Sequence, residues 1–201
     1  MTENYNFNSI VIGTVLGDSS LIRGKTCKNL RIDFCHCQKQ KEYFFWKVAL
    51  LKQLGIQGSW SFYKGNINNY PKYRYSSHVD KRLTDLYSKL YKFRKTPNKR
   101  IKCITNRALW KLDECGLAIW FMDDGYNNNK QNYMHLSTYC FSKKDNEKIA
   151  KWLAERFNIT NTKIYRRKDQ YFLVWYEDAI KLKNIIKPTV SQVSCMKYKI
   201  I

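Results

Sequence analysis

The same order of predicted helices and strands occurs twice along the chain, and this repetition limits the folds that are available to it. Apolar periodicity predicts that each half begins with a short helix and continues with a strand, a longer helix, a hairpin and a final helix. In the first half these elements are predicted at 9–18, 29–37, 41–54, 59–64 with 72–77, and 80–93.

The second half follows the same order, at 116–124, 133–139, 143–157, 162–167 with 171–176, and 177–187, where Pro188 is expected to end the last helix. Matching elements are separated by about one hundred residues, which favours duplication of one α-β-α-β-β-α unit over a chance recurrence of common elements. We therefore predict an α+β fold with a pseudo-two-fold axis. Its parts are an N-terminal repeat (1–91), a basic linker (92–105) and a C-terminal repeat (106–201).

The charge of the chain points to a polyanionic partner. Its 201 residues carry 37 Lys and Arg against 16 Asp and Glu, a net charge of +21, while 44% hydrophobic residues suffice for a core and exclude a disordered basic tail. Nucleic acid is the first candidate and an anionic membrane surface the second. We expect no membrane span, because no apolar stretch approaches the required length, and no signal peptide at the polar N-terminus.

The cysteines indicate a reducing compartment, such as a bacterial cytoplasm or an organelle. Their number is seven, which favours free thiols over a disulfide framework. Cys35, His36 and Cys37 form the one tight cluster and leave a zinc site open as an alternative. No second ligand pair with suitable spacing follows them, and we assign His36 a structural role.

Each half opens with an apolar helix that ends in an acid, at Asp18 and at Asp124. An aspartate is unfavourable at a helix C-terminus by about 0.3–1 kcal/mol unless something compensates its charge. A divalent cation would do so, held by carboxylate oxygens and by the carbonyls of Gly17 and Asp123. A simple surface role is the alternative for either acid alone.

The small residues Gly13, Gly17 and Ala118 would let these two helices pack closely and bring Asp18 beside Asp124. Paired carboxylates that hold hard metal ions are suited to phosphodiester hydrolysis. The repeated acids therefore predict a metal-dependent nuclease.

Residues 11–19 (VIGTVLGDS) and 117–125 (LAIWFMDDG) resemble the two signature helices of the LAGLIDADG homing endonucleases in their single-chain form. The resemblance covers nearly the whole chain and extends to residues 102–105 (KCIT) and 196–200 (MKYKI). It implies a saddle of two antiparallel sheets over the DNA major groove, with the signature helices at the interface. It also implies that both strands are cut across the minor groove with Mg²⁺.

Carried over by position, the resemblance makes Asp18 and Asp124 the acids that share two or three Mg²⁺ ions. It makes Lys102 and Lys199 the basic residues that orient water or stabilise the pentavalent phosphate electrostatically. Lys95, Lys99 and Lys197 are alternatives for these lysines. The sequence departs from the family pattern at 13–15 (GTV), where the family name spells Gly-Leu-Ile, and at Thr105, where proline is common.

Alternation along the predicted strands gives each sheet a polar face that can contact base edges, with lysines at its margins for phosphates. An ordinary solvated face is the alternative for any single residue. The predicted DNA-binding residues are Lys25, Arg31, Asp33, Cys35, Lys64, Lys72, Arg74, His135, Ser137, Tyr139, Lys163, Arg166 and Arg167.

The function predicted from these observations is a monomeric, Mg²⁺-dependent endonuclease that cuts a long asymmetric double-stranded DNA target and serves intron homing. An RNA-binding maturase that assists splicing of its host intron is the alternative on the same scaffold. A DNA-binding regulator without activity is a third reading, disfavoured by the two intact acids.

Overall fold

A computed structural model describes residues 5–65, 70–93 and 100–201 of the chain. The turn of the first predicted hairpin and the middle of the predicted linker, with Lys95 and Lys99, lie outside these residues. No helix in the described part of the chain has the length and apolar character needed to cross a membrane.

The N-terminal half is a four-stranded antiparallel sheet with three helices. Strand order is β1-β2-β4-β3, and β3 and β4 form the predicted hairpin. The elements are α1 (Phe7–Leu16), β1 (Ser19–Arg23), β2 (Leu30–Cys37), α2 (Lys41–Gln53), β3 (Gly58–Tyr63), β4 (Lys72–Ser77) and α3 (Lys81–Leu90).

The C-terminal half repeats this topology, with strand order β7-β8-β10-β9. Its elements are α5 (Glu114–Asp124), β7 (Gly125–Asn128), β8 (Tyr133–Leu136), α6 (Lys143–Phe157), β9 (Lys163–Arg167), β10 (Gln170–Trp175), α7 (Ala179–Val190) and a closing 3₁₀ helix (Ser194–Lys199). Between the halves lie the short antiparallel pair β5 (Tyr91–Phe93) and β6 (Arg100–Lys102) and the helix α4 (Asn106–Leu109). The predicted α+β fold with two antiparallel sheets is confirmed.

Helices α1 and α5 pack directly against each other at the centre of the molecule. Every residue of α1 from Ser9 onward is buried, as is α5 from Gly116 to Met122. A Cβ atom on Gly13 would lie 2.2 Å from the carbonyl oxygen of Gly116, so the two backbones touch where neither residue has a side chain. The predicted close approach at Gly13 is therefore present.

Two hydrogen bonds between Ser9 and Asp113 join the N-terminal ends of this helix pair. The Ser9 hydroxyl oxygen lies 2.5 Å from Oδ1 of Asp113 and accepts the Asp113 backbone N–H at 2.9 Å. Asp113 is also the N-cap of α5, since its carboxylate accepts the N–H of Gly116.

The structure differs from the sequence prediction in several elements. Each half has an additional strand directly after its signature helix, β1 and β7, and helix α1 ends at Leu16 rather than at Asp18. The helix predicted over 80–93 ends at Leu90, because Tyr91–Phe93 pairs with β6 as strand β5. The end predicted for the last helix at Pro188 is wrong. Pro188 lies inside α7, because packing of Thr189 and Val190 in the core outweighs the hydrogen bond that proline cannot donate.

Candidate active site

The two signature-helix acids lie in one electrostatic cluster at the C-terminal ends of α1 and α5. Asp124 is the last residue of α5, whereas Asp18 follows Gly17, the C-cap residue of α1. The side chain of Asp18 is 46% exposed, so it is accessible from solvent. Its backbone N–H donates to Oδ2 of Asp123 at 3.1 Å, which joins the two helix ends.

Both acids have raised pKa values. Burial, followed by the negative charge of Asp123, raises the pKa of Asp18 to about 6. Burial and the charges of Asp123 and Asp18 raise the pKa of Asp124 to about 7. Carboxylates held together in this way favour either a proton or a cation, because each opposes ionisation of the other.

Two lysines reach the ends of the signature helices from other elements. Lys102, on β6, donates from Nζ to the carbonyl of Gly17 at 2.7 Å, and Lys199, in the closing 3₁₀ helix, donates to the carbonyl of Gly125. Burial lowers the pKa of both ammonium groups. These are the lysines that the sequence singled out, and Lys197 is exposed. The Gly17 carbonyl, predicted as a metal ligand, accepts the Lys102 ammonium here.

Beside the two acids and the two lysines lies an ion pair of Lys47 and Asp123, which the sequence analysis did not predict. Both side chains are fully buried, and Nζ of Lys47 lies 2.8 and 2.9 Å from the two carboxylate oxygens of Asp123. The Tyr43 hydroxyl donates to Oδ1 of Asp123 at 2.8 Å. Burial is the largest single effect and raises the pKa of Asp123, but the charges of Lys47 and His36 and the hydrogen bonds from Lys47 and the Asp18 N–H together hold the net pKa below the ordinary value.

His36 lies between Asp18 and Asp123, with a ring nitrogen 3.9 Å from a carboxylate oxygen of each. Burial, aided by the charge of Lys47, lowers the pKa of His36 to about 4, so the ring is neutral at pH 7. Cys35 and Cys37 are exposed while His36 is buried on the opposite face of β2, which argues against the alternative of a zinc site formed by these three. The seven cysteines all lie in the described part of the chain, and none of them forms a disulfide there.

The residues at the helix ends fit a divalent cation with hard oxygen ligands. Within the described residues, Asp18, His36 and Asp123 offer ligand atoms close enough to share an ion. Because both oxygens of Asp123 already accept hydrogen bonds from Lys47 or Tyr43, the carboxylates of Asp18 and Asp124 are better suited to Mg²⁺.

The open faces of the two sheets differ in chemistry. On the N-terminal sheet the buried carboxylate of Asp33 accepts hydrogen bonds from Arg31 at 2.9 Å and Arg74 at 3.0 Å, so it fixes both guanidinium groups. The C-terminal face is a layer of aromatic rings around a cavity of about 380 Å³. Its lining includes Tyr133, His135, Tyr139, Tyr165, Phe172 and Tyr176.

The predicted DNA-binding residues are distributed over these faces and their margins. Arg166 lies on the opposite face of β9 from Arg167 and bonds to Asp169 in the turn. Asp33 is buried, and Arg31, Lys72, His135 and Ser137 are half-buried. The exposed residues are Lys25, Cys35, Lys64, Arg74, Tyr139, Lys163, Arg166 and Arg167.

Comparisons with known proteins agree with this geometry. The chain is 30% identical to the cytochrome b mRNA maturase bI2 of Saccharomyces cerevisiae over 98% of its own length, but it spans only 48% of that relative. It is 25% identical to the DNA endonuclease I-ChuI of Chlamydomonas applanata, covering 95% of this chain and 92% of that one.

Among solved structures, the homing endonuclease I-WcaI bound to its DNA recognition sequence has the same fold. It matches with a TM-score of 0.79 and 23% identity over 96% of this chain and 85% of that chain. The model of the LAGLIDADG DNA endonuclease family matches residues 8–182. The signature helices, the duplicated unit and this match together establish that the chain belongs to the LAGLIDADG DNA endonuclease family.

Proposed function

We propose that the chain is a Mg²⁺-dependent, site-specific endonuclease that cuts both strands of a long asymmetric DNA target. The observation that carries the proposal is the convergence of Asp18 and Asp124 with two lysines, the half-buried Lys102 and the buried Lys199, at the ends of the packed signature helices. A net charge of +21 adds strong attraction for a duplex.

The chemistry follows from the charges at this site. When Mg²⁺ is bound by Asp18 and Asp124, it supplies polarisation of the scissile phosphate and activation of water. The lysines Lys102 and Lys199 hold positive charge beside the helix ends, where the phosphate gains negative charge during the reaction. Their contacts with carbonyl oxygens orient both ammonium groups before DNA arrives.

Both copies of the unit are in one chain, so we propose that the enzyme acts as a monomer. The repeats would be 1–91 and 106–201, joined through 92–105. In this arrangement each sheet addresses one half of the target, with Arg31 and Arg74 suited to guanine and phosphate contacts in one half. The relatives of this chain include a cytochrome b mRNA maturase and a probable intron-encoded DNA endonuclease, which favours an intron-encoded protein in an organelle.

Cleavage of a library of long DNA targets in Mg²⁺ tests the proposal. We expect wild-type protein to cut a specific sequence, while Asp18→Asn and Asp124→Asn bind that sequence but cut it at least a hundredfold more slowly. Asp85→Asn, an exposed position on α3, is the matched control and should cut normally. Normal cutting by both site variants would show that the acids are wrongly assigned.

A maturase is the second candidate, and one observation favours it specifically. The alignment to the yeast bI2 maturase covers 98% of this chain. Because RNA binding needs no hydrolysis, a double Asp18→Asn/Asp124→Asn variant should still promote splicing of the host intron. Loss of splicing in a variant that remains folded would contradict a maturase role separate from the nuclease site.

A further inference from the structure

We propose that Asp123, Lys47 and Tyr43 are positioning residues that fix the backbone of Asp18, so that they support one of the two acids and not the other. This inference rests on the proposed endonuclease function. It concerns three side chains that are fully buried in the protein.

The carboxylate of Asp123 lies directly against the Gly17–Asp18 segment. Its Oδ2 accepts the Asp18 N–H at 3.1 Å, and a Cβ atom on Gly17 would lie 2.3 Å from the same oxygen. The absence of a side chain at Gly17 is therefore what admits this carboxylate. Since Asp18 lies beyond the last residue of α1, this contact restrains a backbone that the helix itself no longer holds.

Lys47 and Tyr43 hold Asp123 in place. Both belong to α2 of the N-terminal half, and Asp123 belongs to α5 of the other half. The Lys47 ammonium contacts both carboxylate oxygens, and the Tyr43 hydroxyl lies 2.8 Å from Oδ1 and 3.3 Å from the carbonyl of Ile119, one turn earlier on α5. A fully buried carboxylate with three such contacts has little freedom to move, so it is a rigid acceptor for the Asp18 N–H.

The support is one-sided because the residue directly before the acid is not the same in the two copies. Asp123 precedes Asp124 in the second motif, and Gly17 precedes Asp18 in the first. Gly17 has no side chain, so the first copy cannot return the same contact to the backbone of Asp124. Loss of the ion pair should therefore displace Asp18 more than Asp124.

This asymmetry can be measured because, in the proposed function, each of the two acids acts on one DNA strand. The test uses the full-length double variant Lys47→Met/Asp123→Ala, which removes both buried charges together and leaves neither unpaired. The substrate is a plasmid that contains the cleaved target, with each strand labelled separately. We expect the ratio of the rate constants for the two strands to change by at least tenfold relative to the wild type, with nicked circles accumulating before linear product.

Ser9→Ala is the matched control. It removes the corresponding tie between the halves at the opposite end of the same helix pair, far along α1 from Asp18. It should lower the melting temperature without changing the ratio of the two strand rates. Equal slowing of both strands in the double variant, as in Ser9→Ala, would mean that the ion pair only stabilises the fold and would overturn the inference.

Amide hydrogen exchange tests the same contact without cleavage. The Asp18 N–H should exchange at least tenfold faster in Lys47→Met/Asp123→Ala than in the wild type, and Ser9→Ala should leave it unchanged. Unchanged protection of Asp18 in the double variant overturns the positioning role. A wild-type protein that cuts no target instead refutes the endonuclease function, and the exchange measurement still decides whether Asp123 fixes Asp18.

Discussion

Replacement of Gly13 by alanine tests whether backbone contact between the signature helices determines the stability of the molecule. The added Cβ would lie 2.2 Å from the Gly116 carbonyl oxygen, whereas ordinary contacts are 3.4–4 Å. The helices must therefore separate by about 1 Å, because neither atom belongs to a side chain that can rotate away.

Two opposing effects decide the size of the change. Alanine in a helix is favoured over glycine by about 1 kcal/mol, which would stabilise α1. Overpacking in a close-packed core costs about 1–3 kcal/mol, and a contact between two backbones belongs at the upper end of that range. We therefore expect the free energy of unfolding to fall by about 2 kcal/mol, which lowers the melting temperature by roughly 4–8 °C for a chain of this size.

Thermal unfolding followed by circular dichroism measures this change. Gly24→Ala is the matched control, since its Cβ would meet only the side chain of Cys27, whose nearest atom is the sulfur at 3.1 Å and can rotate away. The control should remain within about 0.5 kcal/mol of the wild type. A Gly13→Ala protein that melts at or above the wild-type temperature would refute the reasoning, because helix propensity would then outweigh the contact.

Three further predictions concern charge and recognition. Lys47→Met alone should destabilise the protein by about 3–5 kcal/mol, measured by urea unfolding, because it leaves the buried Asp123 carboxylate unpaired; a loss below 1 kcal/mol would contradict this. Metal-free protein should lose stability as pH rises through about 7, because the pKa of Asp124 is about 7 in the folded state and 3.8 in the unfolded reference. The proton on Asp124 therefore stabilises the folded state fully only at low pH. Asp124→Asn should flatten this pH profile, and added Mg²⁺ should raise the melting temperature of the wild type but not of the variant. Replacing thymine by uracil in the half of the target that contacts the aromatic C-terminal face should weaken binding up to about fourfold per methyl group, with a smaller effect in the other half.

The elements and the paired acids could be predicted because their signals are local. Apolar periodicity located all the longer helices, and an aspartate at the end of an apolar stretch stands out against its neighbours. The strands β1 and β7 were not predicted because they are short and begin within two residues of the signature helices, and β7 (GYNN) has the composition of a loop. Pairing with β2 and β8, rather than intrinsic propensity, makes them strands.

The buried ion pair could not be predicted for a different reason. Lys47 lies in a run of apolar residues in α2, where a lysine ordinarily extends to solvent. Its partner Asp123 is 76 residues away in sequence and belongs to the other copy of the unit. The two charges meet only because α2 packs against the end of α5. The periodicity of neither segment predicts this contact. The one signal in the sequence was Asp123, the additional aspartate of the second motif, which stands where the first copy has Gly17.

Stability and activity should be coupled at the helix pair and separable elsewhere. The contacts of Gly13 with Gly116 and of Gly17 with Asp123 lie along the same interface that ends at Asp18 and Asp124. A change that separates the helices therefore also moves the acids, while a cavity of similar cost on α3, such as Leu83→Ala, leaves their spacing intact. Variants with equal loss of stability should accordingly fall into two groups when cleavage is measured well below their melting temperatures, slow for the interface and normal for α3. Equal cleavage rates in the two groups would mean that the acids are placed by the surrounding loops rather than by the helix contact.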